Sequence, residues 1–231
     1  MTVEHMPLAP WALNVEATIG ASIYALPSQD RIRGALAAHA AGLWVHADLI
    51  LKQGSGGEVV NLGVEMEQIK SCLEQAPGLR MDIHLIVLPG TQHWEPAVDR
   101  VAAELAGAVS ARWSASRPVL DRLAPLLPVN SEKWVEFWPP RDGSSSPSAD
   151  GVLAMLIEPG TKGDADLAST NVLASMAQEV RVGVDGGVTL SVASSALAAG
   201  AEYLVVGRAL FGLTQPLGMD RLRDAGAPKR H

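Results

Sequence analysis

Residues 181–209 read RVGVDGGVTLSVASSALAAGAEYLVVGRA, and this stretch decides the fold class. It contains a short apolar run at Arg181–Val184, the pair Gly186-Gly187, helical spacing of apolar residues over Leu190–Ala199 and a second apolar run at Tyr203–Val206. This order predicts a strand, a tight loop, a crossover helix and a parallel strand. The stretch is therefore interpreted as one βαβ unit.

The same alternation continues through the rest of the chain. Eight apolar runs are predicted as strands: Ala17–Ile23, Leu43–Leu49, Met81–Val87, Ala108–Trp113, Lys133–Trp138, Val152–Ile157, Arg181–Val184 and Tyr203–Val206. Six amphipathic stretches are predicted as helices: Ser28–Ala41, Val64–Gln75, His93–Leu105, Arg117–Leu127, Asp166–Glu179 and Leu190–Ala199. Because such barrels typically have about 250 residues, the pattern predicts a single (β/α)8 TIM barrel.

The barrel is expected to occupy residues 1–225 as one domain, with a flexible tail at 226–231. Pro139–Asp150 is rich in Pro, Ser and Gly, which predicts a loop. Gln53–Gly57 is rich in glycine and follows the second predicted strand. Two interpretations of it stay open, a mobile lid over the active face and a solvated linker.

Composition excludes several classes of partner. The formal net charge is -7, from 18 basic and 25 acidic residues, which argues against nucleic acid and anionic membrane surfaces. No apolar run reaches the roughly 18 residues that cross a bilayer, and the first residues lack the pattern of a secretory signal. The single cysteine, Cys72, fits a reducing compartment. We expect a cytoplasmic protein.

Two histidines and two aspartates lie in or directly after three of the predicted strands. In His46-Ala47-Asp48 the period of two sends the first and third side chains to the same side of the strand. His84 lies within the third strand, Met81–Val87, and Asp185 follows the seventh strand. Two imidazoles and two carboxylates suit zinc, iron, manganese or cobalt as divalent ions, with zinc placed first.

Glycines after the last three strands predict a phosphate site. Backbone N–H groups next to helix N-termini bind phosphoryl groups in barrels of this kind. The candidate residues are Gly160, Gly163, Gly186, Gly187, Gly207 and Arg208, and either Lys162 or Arg208 would add a full positive charge. The alternative is that these glycines only form tight turns.

The motifs resemble those of the ribulose-phosphate 3-epimerase family from about Ile19 to Gly212. Its His-x-Asp motif is similar to His46-Ala47-Asp48, and its Asp-Val-His-Leu-Met is similar to 82–86. Its Met-x-Val-x-Pro-Gly resembles 155–160, and its Val-Asp-Gly-Gly-Ile resembles 184–188. Its opening Pro-Ser-Ile-Leu resembles 21–24, which would put Ser22 near the substrate.

The resemblance implies an epimerase that acts on a phosphorylated sugar of the ribulose 5-phosphate and xylulose 5-phosphate type. In the family a proton moves on and off the carbon next to a ketone through an enediolate, which a bound metal stabilises. The resemblance implies that Asp48 and Asp185 exchange this proton and that Met155 covers the reacting centre. It also implies a homo-oligomer, either a dimer or a hexamer.

Departures from the family keep other functions open. The segment 49–57 after His-x-Asp is rewritten, Gly207-Arg208 replaces a Gly-Ser, and 110–113 and 134–140 lack the usual residues of the pocket wall. These changes favour a divergent member with a different sugar phosphate. The alternatives are an isomerase or lyase that uses the same enediolate, and a pseudoenzyme that binds a sugar phosphate without turnover.

Overall fold

A computed structural model describes residues 6–107, 112–138, 149–158, 161, 163–166 and 170–213. Nine strands are assigned: β1 Thr18–Ser22, β2 Trp44–Gln53, β3 Val59–Asn61, β4 Met81–Val87, β5 Arg112–Ala115, β6 Glu132–Phe137, β7 Gly151–Met155, β8 Val182–Asp185 and β9 Tyr203–Val206. Six α-helices are assigned: α1 Arg31–Ala40, α2 Met66–Gln75, α3 Glu95–Leu105, α4 Arg117–Leu123, α5 Thr170–Met176 and α6 Leu190–Ala198.

Eight of these strands form a closed parallel barrel. The strand order is β1-β9-β8-β7-β6-β5-β4-β2, and β1 pairs with β2 to close the ring. The helices lie between successive barrel strands in the chain, and all eight barrel pairings are parallel. The predicted TIM barrel is confirmed.

The additional strand, β3, was not predicted. β2 continues four residues beyond its predicted end at Leu49, and β3 pairs with this extension in antiparallel register. The glycine-rich segment 53–57 is the turn of this hairpin, with the N–H of Gly54 bonded to the carbonyl of Glu58. It is not an unstructured linker, because both of its ends are held in a ladder of backbone hydrogen bonds.

Most other predicted elements occur with shifted ends. Two strands match at both ends, Met81–Val87 and Tyr203–Val206. The strand predicted at Ala108–Trp113 continues two residues further, to Ala115, as β5. The helix predicted from Ser28 begins with a 3-10 turn at Ser28–Asp30. The helix predicted at Asp166–Glu179 ends at Met176. Residues 108–111, the predicted loop at 139–148 and the predicted tail at 226–231 lie outside the described residues.

Side chains alternate between two apolar cores. Those facing outward, such as Val45, Leu49 and Leu204, pack against the helices and are fully buried. Those facing inward at the amino ends of the strands include Trp134, Leu153 and Tyr203. The alternation follows from the two-residue period of a strand with both faces covered.

An arginine is buried among the aromatic rings at the amino ends of the strands. The guanidinium carbon of Arg112 lies 3.8 Å from the ring centroid of Trp134 and 4.2 Å from that of Tyr203. Its Nε and Nη2 donate to Glu132 Oε2 at 3.1 and 3.0 Å. Gly20 leaves room for Tyr203, whose hydroxyl would lie 2.1 Å from a Cβ there. These side chains fill that end of the barrel.

Among the helices of the described segments, none is both long enough and apolar enough to cross a membrane.

Candidate metal centre and substrate cavity

The structure brings the four predicted ligands together. His46 and Asp48 lie on β2, His84 on β4 and Asp185 at the end of β8. One ligand atom from each residue falls within a group whose members all lie within 4.8 Å of one another. Parallel strands aligned in register produce this convergence, because Asp48 is the partner of His84. Both imidazoles are fully buried, and both carboxylates are slightly exposed.

The distances fit a shared cation. Asp48 Oδ1 lies 3.1 Å from His46 Nε2 and 3.2 Å from His84 Nδ1. Asp185 Oδ2 lies 3.7 Å from His46 Nε2 and 3.6 Å from His84 Nδ1. Two nitrogen and two oxygen donors are thus directed at one small volume, which suits a divalent ion such as zinc, iron, manganese or cobalt. The donor set fits the metal that the sequence predicts.

Two further carboxylates hold the histidines from the other side of each ring. His46 Nδ1 lies 2.9 Å from Asp82 Oδ2, and His84 Nε2 lies 3.2 Å from Glu136 Oε2. The hydroxyl of Ser114 donates to Asp82 Oδ1 at 3.0 Å. Carboxylates in this position are typical of metal-binding histidines.

Asp82 and Glu136 are not among the site residues predicted from the sequence. Asp82 is two residues from His84, so strand alternation alone places both on the interior face. Glu136 is a charged residue inside an otherwise apolar strand, and it is 4% exposed. An acidic residue in a buried strand needs a partner, so Glu136 could have been recognised from the sequence as a candidate.

The electrostatics of the cluster favour positive charge. Burial alone would lower the pKa of His46, but the carboxylates of Asp48 and Asp82 outweigh it and raise this pKa to about 10. Burial would also lower the pKa of His84, but hydrogen bonds to neighbouring carboxylates raise it well above its usual value. Burial would raise the pKa of Asp48 and of Asp82, but the neighbouring imidazoles of His46 and His84 outweigh it and lower both pKa values. A divalent cation could take the place of the imidazole protons.

A cavity of about 330 Å³ opens at the carboxyl ends of the strands, next to Asp48 and Asp185. Ser22 and Met155, both predicted to contact substrate, line it. The hydroxyl of Ser22 donates to Asp48 Oδ2 at 3.3 Å. Aliphatic side chains complete the wall near the centre: Ile50, Ile86, Ile157, Val188 and Val205. The volume is within the range of small-molecule sites.

None of the described residues of β5 and β6 lines this cavity. The expectation that these strands alter the pocket wall therefore needs correction for Arg112, Trp113 and Trp134. Arg112 and Trp134 pack inside the amino end of the barrel, and Trp113 packs against the helices. Of these two strands, β6 reaches the centre through Glu136.

Most of the predicted phosphate-binding residues border the same cavity: Gly163, Gly186, Gly187, Gly207 and Arg208. Gly160 and Lys162 lie outside the described residues. Gly186 and Gly187 have φ of 105° and 63°, and a Cβ at Gly187 would lie 2.7 Å from the backbone nitrogen of Ala165. These two glycines are therefore required by the turn itself.

The surroundings of the two strand ends differ. After β8, helix α6 follows at Leu190, and Thr189 caps it by accepting the N–H of Val192 at 3.4 Å. After β9 the described chain forms turns at 208–212, so the helix N-terminus expected beside Gly207 is not found in that part. The guanidinium of Arg208 instead donates to the carbonyl of Gly163 at 3.2 Å, which joins the loops after β7 and β9.

Residues 145–211 match the sequence model of the ribulose-phosphate 3 epimerase family. This match confirms the predicted resemblance for β7, β8 and β9. It includes Met155 and Asp185 and does not extend to His46, Asp48 and His84. None of the curated proteins matches the chain significantly by sequence.

Solved structures of other TIM barrels are similar to this chain at low identity. Phosphoribosyl anthranilate isomerase from Thermus thermophilus is 16% identical, with a TM-score of 0.55, over 83% of this chain and 88% of that chain. A variant of the tryptophan synthase α-subunit from Pyrococcus furiosus is 12% identical, with a TM-score of 0.59, over 85% and 89%. Orotidine 5'-phosphate decarboxylase from Pyrococcus horikoshii is 14% identical, with a TM-score of 0.53, over 86% and 93%.

Proposed function

We propose that this protein is a metal-dependent epimerase of a ketose phosphate, of the ribulose 5-phosphate and xylulose 5-phosphate type. The observation that carries the proposal is the position of Asp48 and Asp185. Both carboxylates border the cavity, and both belong to the cluster formed with His46 and His84. The match to the epimerase family over residues 145–211 supports the same reaction.

Asp48 and Asp185 are proposed as the acid and base. In a 1,1-proton transfer one carboxylate removes the proton from the carbon next to the ketone, and the other returns a proton to the opposite face. The lowered pKa of Asp48 keeps its carboxylate in the ionised, base form. Ser22 donates to Asp48 and fixes the direction of its carboxylate. A bound divalent ion would supply positive charge to the substrate oxygens.

The anionic group of the substrate is proposed to bind at the loops after β7, β8 and β9. Arg208 borders the cavity and offers a positive charge and several N–H donors. The turn at Gly186 and Gly187 brings the backbone close to the same space. These features support a phosphorylated sugar as the substrate. A homo-oligomeric assembly and a cytoplasmic location remain predictions.

The test is proton exchange in deuterated water. Zinc-loaded protein is incubated with ribulose 5-phosphate and then with other ketose phosphates, and deuterium at the epimerised carbon is measured by NMR. We expect exchange together with the epimeric product. Asp185→Asn should lower the exchange rate by about 10²- to 10⁴-fold. Asp121→Asn is the control for the same chemical change, because Asp121 is exposed on α4 and belongs neither to the cluster nor to the cavity lining.

The outcomes separate the alternatives. Exchange that yields an aldose or a cleaved product would favour the isomerase or lyase, since both pass through the same enediolate. Metal binding without exchange for any ketose phosphate would contradict an epimerase. Absence of metal binding together with tight binding of a sugar phosphate would favour the pseudoenzyme.

A further inference from the structure

Each histidine of the cluster has one ring nitrogen facing Asp48 and Asp185 and the other facing a separate carboxylate. His46 directs Nε2 to the cluster, whereas His84 directs Nδ1 to it. A neutral imidazole carries one proton, so a nitrogen that binds a cation leaves the proton on the other nitrogen. In a metal-bound centre His46 would be protonated at Nδ1 and His84 at Nε2. The two histidines thus need opposite tautomers.

The Nε2 atom of His84 faces a carboxylate two strands away. Glu136 lies on β6, and β5 separates it from His84 on β4. Ser114 is the β5 partner of His84, and its short side chain is the interior residue at this level. Glu136 Oε2 comes to 3.2 Å from His84 Nε2, and both side chains are buried. A buried carboxylate is costly without such hydrogen bonds.

We propose that Glu136 is a positioning residue of the metal centre, which holds His84 in the tautomer whose Nδ1 is free to bind a divalent cation. The inference rests on the metal centre proposed above. A carboxylate that accepts the Nε2–H also makes Nδ1 a stronger donor. Without Glu136 this N–H would lose a buried acceptor, and the ring would no longer be fixed in that orientation.

The test measures metal affinity in Glu136→Gln and Glu136→Leu. Zinc dissociation constants are determined by competition with a chromophoric chelator, and the visible absorption of cobalt-loaded protein reports the ligand field. Replacement by Leu should weaken zinc binding by about 10- to 100-fold and shift the cobalt bands. Replacement by Gln should weaken it less, because the amide oxygen still accepts a hydrogen bond.

Leu105→Ala is the control for a general loss of stability. Leu105 is fully buried on α3 in the outer core and is not part of the cluster, so its removal should leave the zinc affinity unchanged. If the parent protein binds zinc and both Glu136 variants stay within about twofold of it, the role of Glu136 is refuted and the proposed centre stands. An equal loss in Leu105→Ala refutes it as well. If the parent binds neither zinc nor cobalt, the proposed centre fails and the inference fails with it.

Discussion

Zinc affinity should rise steeply with pH, because the imidazoles that would bind the ion are protonated in the metal-free protein. The pKa of His46 is raised from 6.5 to about 10. At pH 7 the proton on this ring therefore weakens the apparent zinc affinity by about a thousandfold, or ~4 kcal/mol at about 1.36 kcal/mol per pH unit. The pKa of His84 is also raised, so each ring should release a proton when an ion binds.

Calorimetric titration with zinc measures this release directly. Titrations at one pH in buffers of different ionisation enthalpy give the number of protons that leave. We expect about one to two near neutral pH, with log K increasing by about the same number per pH unit. His84→Ala should release about one proton fewer. Release of less than about half a proton at pH 7 would mean that both imidazoles are already neutral, and it would refute this account of the charges.

Three shorter predictions concern stability and substrate binding. The metal-free protein should lose stability between pH 6.5 and about 10, since a raised pKa of His46 stabilises the fold fully below the unfolded value and ceases to do so as the folded value is passed. Urea unfolding after chelator treatment measures this loss, which zinc-loaded protein should not show. Arg112→Ala should destabilise by about 2–5 kcal/mol, because it empties the space that the buried side chain fills between Trp134 and Tyr203, and Arg112→Met should cost less since it keeps most of the volume. Equal urea midpoints for these two variants would contradict the packing argument. Arg208→Met should raise KM for the phosphorylated substrate about tenfold or more with kcat little changed, and an unchanged KM would place the anion elsewhere.

The barrel was predictable because its strands are short apolar runs between turn residues. Met81–Val87 and Tyr203–Val206 are found with the predicted bounds, since a charged residue precedes each run and a turn residue follows it within two positions. The four clustered residues were predictable for a related reason. Strand alternation places His46 and Asp48 on one face, and parallel strands in register bring His84 beside them.

The hairpin and the partner of Glu136 were not predictable in the same way. Val59–Asn61 has three half-buried residues, which are too few to show a period, and a glycine-rich segment before it looks like any loop. Glu136 contacts a residue two strands away, and no spacing along the chain reports that contact. The prediction of a helix directly after β9 was wrong for the described residues 208–212, because glycine followed by arginine fits a turn as well as a helix start.

Within the described residues, the packing around Arg112 closes one end of the barrel. Aromatic rings and the guanidinium occupy the interior at the amino ends of the strands, and the cavity next to the centre opens at the carboxyl ends. The imidazoles of His46 and His84 are fully buried, whereas Asp48 and Asp185 border the cavity. An ion at this centre would therefore bind before the substrate and leave after the product. Substrate at high concentration should protect that ion from chelators, because substrate in the cavity would lie between the ion and the solvent.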